Sequence, residues 1–135
     1  MDSINVLIVD DSALMRNLIG RIIEAAPGLS LADRAMNGRF ALEKIPRCDP
    51  DVIVLDIEMP EMDGLQFLRE RRKRRIDIPV IMLSGRAEQG ATITMQCLEL
   101  GASDFITKPG AGDGGGLSSV SSRLVELLLS YGGQY

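Results

Sequence analysis

Carboxylates stand where apolar runs stop. Ile4–Val9 is followed by Asp10-Asp11-Ser12, and Val52–Leu55 by Asp56. Val80–Leu83 ends in Ser84, and Asp104–Thr107 runs into Lys108. Short apolar runs without alternation suit strands buried on both faces, as in a parallel sheet. Acids at the carboxyl ends of such strands sit where open α/β sheets place ligands. If the first and third runs are neighbours, they lie ~4.8 Å apart and their terminal acids converge. Crowded acids repel unless a cation joins them, and a hard divalent ion with oxygen ligands, such as magnesium, meets that need. A carboxylate so placed is also a nucleophile toward phosphorus. Asp56 is then the reacting group; the plainer alternative leaves it capping a loop and the other acids in solvent.

The elements that must carry these groups are legible. Ser12 is an N-cap, and Met15, Leu18, Ile19, Ile22 and Ile23 recur at helical spacing until Pro27-Gly28. Leu29–Ala35 is a weaker strand turned by Asn37-Gly38, and Arg39–Ile45 a short helix closed by Pro46. After Asp56, Met59-Pro60 and Asp63-Gly64 lead into a helix over Gly64–Arg75, with Leu65 and Leu68 inward and Phe67 less clearly so. Gly90–Leu100 alternates at Ala91, Ile93, Met95 and Cys97 like a strand, but its place between two strands predicts a helix. Gly110–Gly116 holds five glycines and is a flexible insert. Leu117, Val120, Leu124, Leu127 and Leu128 then define a last helix, ended by Gly132-Gly133. Five strand–helix repeats predict a doubly wound α/β fold, a five-stranded parallel sheet with helices on both faces.

Composition limits the chemistry. At 135 residues the chain is one domain, with 1–131 folded and 132–135 a tail that starts an interdomain linker. It has no histidine, which removes a Ser-His-Asp triad, a Cys-His pair and His-ligated zinc. Cys48 and Cys97 are far apart, as expected of packing thiols in a reduced, cytoplasmic protein. No run reaches membrane-spanning length, so no membrane insertion is expected. A net charge of −4 and few aromatics argue against nucleic acid as the main partner. Arg69–Arg75 carries six basic residues of seven, either a nucleic-acid patch or a solvated helix end whose cations complement the dipole; the second is favoured.

Taken together, Val9-Asp10-Asp11-Ser12, Asp56 with Met59-Pro60 and Asp63-Gly64, Ser84, and Lys108-Pro109 resemble the response-regulator receiver domain of two-component signalling. The resemblance covers about residues 4–130 and implies the flavodoxin-like strand order 2-1-3-4-5. It implies that Asp56 is the phosphoacceptor, taking its phosphoryl group from a phosphohistidine on a sensor histidine kinase. It assigns Mg2+ to the side chains of Asp11 and Asp56 and the main-chain carbonyl of Glu58, with Asp10 at the ion or supporting its ligands. Ser84 and Lys108 would meet phosphoryl oxygens, and Ser84 and Phe105 would act as switch residues; Phe105 is otherwise an ordinary core aromatic. Within the family, Val9–Arg16, Asp56–Pro60 and Leu98–Phe105 resemble the regulatory domain of the chemotaxis protein-glutamate methylesterases. The chain would then control a C-terminal effector domain, or act alone on a protein target. No enzyme is expected in it beyond self-catalysed phosphoryl transfer and hydrolysis.

Other readings fit less well. Phosphatases of the haloacid-dehalogenase type need Asp-x-Asp after the first strand, where this chain has adjacent Asp10-Asp11. The acids before Gly64 lack the spacing of an EF-hand calcium loop. A receiver-like interaction module with a dead site would not keep all five site residues in acceptable types.

Overall fold

The computed structural model describes residues 3–59, 62–84, 90–107 and 116–133. Five strands, β1 (Ile4–Val9), β2 (Leu29–Ala35), β3 (Val52–Asp56), β4 (Val80–Ser84) and β5 (Asp104–Thr107), form one parallel sheet. Their order is β2-β1-β3-β4-β5, the doubly wound order expected. The connecting helices are α1 (Ala13–Ala25), α2 (Gly38–Cys48), α3 (Gly64–Lys73), α4 (Gly90–Glu99) and α5 (Gly116–Gly132). No helix among the described residues is long and apolar enough to cross a membrane.

The central strands are covered on both faces, which is why their sequences do not alternate. Leu7, Val9, Ile53, Leu55, Val80 and Met82 pack with Leu42, Phe67, Leu68 and Cys97 from α2, α3 and α4. Their neighbours Val6, Ile8, Val52, Val54, Ile81 and Leu83 pack on the other face with Ile19, Ile23, Leu124 and Leu128 from α1 and α5. Burying each such side chain contributes about 1.5–3 kcal/mol.

Four local expectations are corrected. Pro46 does not close α2; it lies inside the helix, which ends at Cys48 with Asp49 left-handed at φ 45°. A proline in a last turn removes one intrahelical hydrogen bond. Buried Ile45 and half-buried Cys48 pack against the core and hold the turn, and the Asp49 N–H donates to the Ile45 carbonyl at 2.9 Å.

On α3 the inward residues are Phe67 and Leu68, while Leu65 is half-buried. Gly64, Phe67, Leu68 and Arg71 are the i, i+3, i+4, i+7 stripe, and Leu65 flanks it. The helix itself ends at Lys73, short of Arg75. The Gly-rich stretch also shortens, since α5 begins at Gly116; residues 110–115 lie outside the described residues.

The ambiguous segment is helical over Gly90–Glu99, with Thr94 and Cys97 buried and Met95 exposed. Its apparent alternation is an accident of sequence; the packed stripe is Ile93, Cys97 and Leu100.

Three cations of the basic run at the end of α3, Arg71, Arg72 and Arg74, have partners within the fold. Arg71 donates to the Ile78 carbonyl through Nε at 3.1 Å and Nη2 at 2.8 Å. Burial lowers its guanidinium pKa. Arg72 Nη2 donates to the Glu99 carbonyl at 3.0 Å, and Arg74 pairs with Glu70 at 3.1 Å. Arg71 and Arg72 thus tie α3 to the segment before β4 and to the end of α4, whereas a purely solvated helix end was expected, and Arg74 pairs locally.

Candidate functional site

Strand register decides which polar groups meet. Val9 is level with Leu55 across β1 and β3, so Asp10 and Asp56 leave the sheet side by side. Asp56 is level with Leu83 on β4, which puts Ser84 one residue further out. All three side chains are buried, Asp10 at 0% and Asp56 at 2% exposure, while Asp11 is exposed. Carboxylate oxygens of Asp10, Asp11 and Asp56 all lie within 4.8 Å of one another. Buried acids this close repel, and low local dielectric strengthens the repulsion.

Backbone hydrogen bonds fix the acids before any ligand arrives. The Asp10 N–H donates to the Ala35 carbonyl at 3.0 Å. Asp10 Oδ1 accepts from the Ser12 N–H at 2.9 Å, and Ser12 Oγ caps α1 by accepting from the Met15 N–H at 3.2 Å. Arg16 Nη1 donates to the Asp10 carbonyl at 2.7 Å. Arg16 thereby joins the surroundings of the site, a role that the sequence does not assign to it. The signal was its place one turn beyond the Ser12 cap, where a long side chain reaches back toward the helix start.

On β3, Asp56 Oδ1 accepts from the Glu58 N–H at 3.4 Å, setting the Glu58 backbone beside the carboxylate. The chain then turns hard. The Ile57 carbonyl accepts from the Gly64 N–H at 2.9 Å, and Met62 is left-handed at φ 66°. A Cβ on Gly64 would lie 2.9 Å from Ile57 Cα and 3.1 Å from the Asp56 carbonyl oxygen, so glycine is needed for α3 to start this close to the acid. Asp63 and Gln66 form a capping box that fixes the entry to α3. A cavity of about 470 Å³ lies against the acids, lined by Asp11, Glu58, Met59, Asp63, Leu65 and Ile93.

The donor set is chemically right for magnesium. Three carboxylates with an adjacent backbone are hard oxygen donors, and such a site leaves positions for water or a phosphoryl oxygen. Softer metals would call for thiolate or imidazole. Histidine is absent, and neither cysteine belongs to the acid cluster.

Phe105 on β5 is 39% exposed, an outward position rather than that of a core aromatic. Lys108, expected to complete the site, lies outside the described residues, as do Pro60 and Pro109. Cys97, on the inner face of α4, is pushed up to about 11 by burial and by the charge of Asp63.

Comparison with known proteins points one way. Residues 6–114 match the response regulator receiver domain. A protein-glutamate methylesterase/protein-glutamine glutaminase of Treponema denticola is 63% identical over 132 residues, which is 98% of this chain and 36% of that protein. The chain thus spans about a third of the length of the curated relatives it matches. Among solved structures, the response regulator domain of Thermotoga maritima CheB is similar at 38% identity and a TM-score of 0.86, covering 98% of both chains. A structure of the P1 domain of CheA3 in complex with CheY6 from R. sphaeroides contains a chain 36% identical at a TM-score of 0.72, with 94% of this chain and 99% of that one covered.

Proposed function

The chain belongs to the response regulator receiver domain family, homologous to the regulatory domain of chemotaxis methylesterases, and from that premise we propose that Asp56 accepts a phosphoryl group from a kinase phosphohistidine. The observation that carries this reading is the register-matched convergence of Asp10, Asp11 and Asp56, with Ser84 on the next strand. Residues 1–131 act as the receiver, and 132–135 lead toward a following domain. The output is control of a methylesterase domain of the kind found in the longer relatives.

An oxygen of the Asp56 carboxylate attacks phosphorus as the bond from phosphorus to the donor nitrogen breaks. That nitrogen keeps the electron pair, and the product is an aspartyl-phosphate. Such a transfer asks mainly for positioning and charge neutralisation. The Glu58 N–H holds the Asp56 carboxylate, and the Ser12 N–H holds that of Asp10. Asp11, Asp56 and the Glu58 carbonyl would hold Mg2+, with Asp10 beside them. When bound, Mg2+ supplies positive charge to the transferring group. The Ser84 hydroxyl donates to one phosphoryl oxygen, and the Lys108 ammonium, next after β5 in sequence, pairs with another.

The phosphorylated group draws Ser84 inward. Exposed Phe105 follows it, and the face made by α4, β5 and α5 shifts in population. As Phe, residue 105 makes this move without a hydroxyl hydrogen bond.

Asp56→Asn should abolish labelling by acetyl phosphate with Mg2+, read by radiolabel retention. Full labelling of this variant would refute Asp56 as the acceptor.

A further inference from the structure

A second built feature lies on the other side of β1 from Asp56. The Asp10 N–H donates to the Ala35 carbonyl, and Met36 follows Ala35, so the end of β2 is one strand spacing from the acid site. Here Arg16, Arg34, Met36, Phe40 and Lys44 line a cavity of about 360 Å³. Met36 is 52% and Phe40 40% exposed, large apolar side chains left in water between three cations.

The cations are held in place. Lys44 Nζ donates to the Arg34 carbonyl and lies 3.5 Å from Asp33. Arg34 lies across α1 at Gly20, where a Cβ would stand 2.8 Å from Nη2, and the same Nη2 is 3.9 Å from Glu24 Oε1. Arg16 bridges the two sites through its bond to the Asp10 carbonyl. Three cations against Asp33 and Glu24 leave the rim positive, on a chain of net charge −4.

We propose that this pocket docks the phosphodonor protein, gripping an acidic surface segment that carries one apolar side chain. The inference rests on the phosphoacceptor reading above. A protein donor must hold its phosphoryl group over the acid site, and an attractive patch beside that site speeds the encounter and fixes the approach. Charge complementarity selects an acidic partner, and Met36 with Phe40 supplies the apolar anchor that charge alone lacks. A small phosphodonor enters the acid site directly and needs no such patch.

The test compares two donors on the full chain. The protein donor is the radiolabelled, histidine-phosphorylated chemotaxis kinase of Treponema denticola, and the small donor is acetyl phosphate. Arg34→Glu and Phe40→Ala should each slow labelling by the kinase about tenfold and leave acetyl phosphate labelling at the wild-type rate. Added salt should slow the kinase reaction of wild type more than that of Arg34→Glu, because exposed charges are screened. Equal kinase rates for wild type and both variants would overturn the proposal. So would slowing that follows Met95→Ala, on the opposite edge, and not Arg34→Glu. Failure of wild type to label from either donor would instead overturn the phosphoacceptor reading beneath it.

Discussion

At the amino ends of the strands, Ile4, Val52 and the last turn of α5 close on one another. A Cβ on Gly132 would collide with Ile4 Cγ2 and sit 3.3 Å from Val52 Cγ1. At the carboxyl ends of the same strands, buried Asp10, Asp56 and Ser84 stand where apolar side chains would pack. One end spends every contact on cohesion. The other gathers three carboxylates within 4.8 Å of one another, a donor set suited to a hard cation. The difference lies in a few residues at the strand ends, because the strands between them share one apolar core.

Breaking the closed end should cost the most. Gly132→Val forces a branched side chain against Ile4 and Val52, and should destabilise the fold by about 1–3 kcal/mol in urea unfolding. Labelling at the far end of the sheet should change little in the variant that remains folded.

Charge from the open end also reaches into the helical layer. The Cys97 thiol, ordinarily near 9.0, is held protonated to about 11 by burial and by Asp63. Its pKa is raised on folding, so its contribution is whole below about 9.0 and is lost as pH rises toward 11. Unfolding measured across that window should show a loss of up to about 3 kcal/mol that Cys97→Ala removes. The same burial predicts that half-buried Cys48 reacts with a thiol reagent well before Cys97.

The smallest effect has the opposite sign. Asp10→Asn keeps an oxygen to accept from the Ser12 N–H and removes one of three crowded charges. Without metal it should stabilise the protein by up to about 1 kcal/mol, while its Mg2+-dependent labelling slows. A variant less stable than wild type in metal-free buffer would show that the acids are not in net repulsion.

How much of this was legible in sequence follows from how local each signal is. The five strand–helix repeats and the acids at the strand ends are carried by short runs, and a parallel sheet brings those ends together once the strand order is known. Pro46 misled because a proline rule is local, whereas the turn around Ile45 and Cys48 is held by packing. Phe67 is less legible than its full burial warrants because the stripe starts at Gly64 and ends on Arg71, a charged residue that marks no apolar periodicity, while Leu65 packs at its margin. Arg16 was missed for a related reason. Its partner is the Asp10 main-chain carbonyl, and a backbone acceptor leaves no residue type to read. The pocket at the end of β2 was equally hidden, since its lining comes from α1, β2, α2 and the β2–α2 connection and is gathered only by the fold.

The most direct test of the account is to find where the phosphoryl group goes. Wild-type protein treated with acetyl phosphate and Mg2+, trapped by borohydride reduction and read by tandem mass spectrometry, should carry its modification on Asp56 alone, and omission of Mg2+ should remove it. Modification of Asp10 or Asp11 in place of Asp56, or equal labelling without Mg2+, would contradict it.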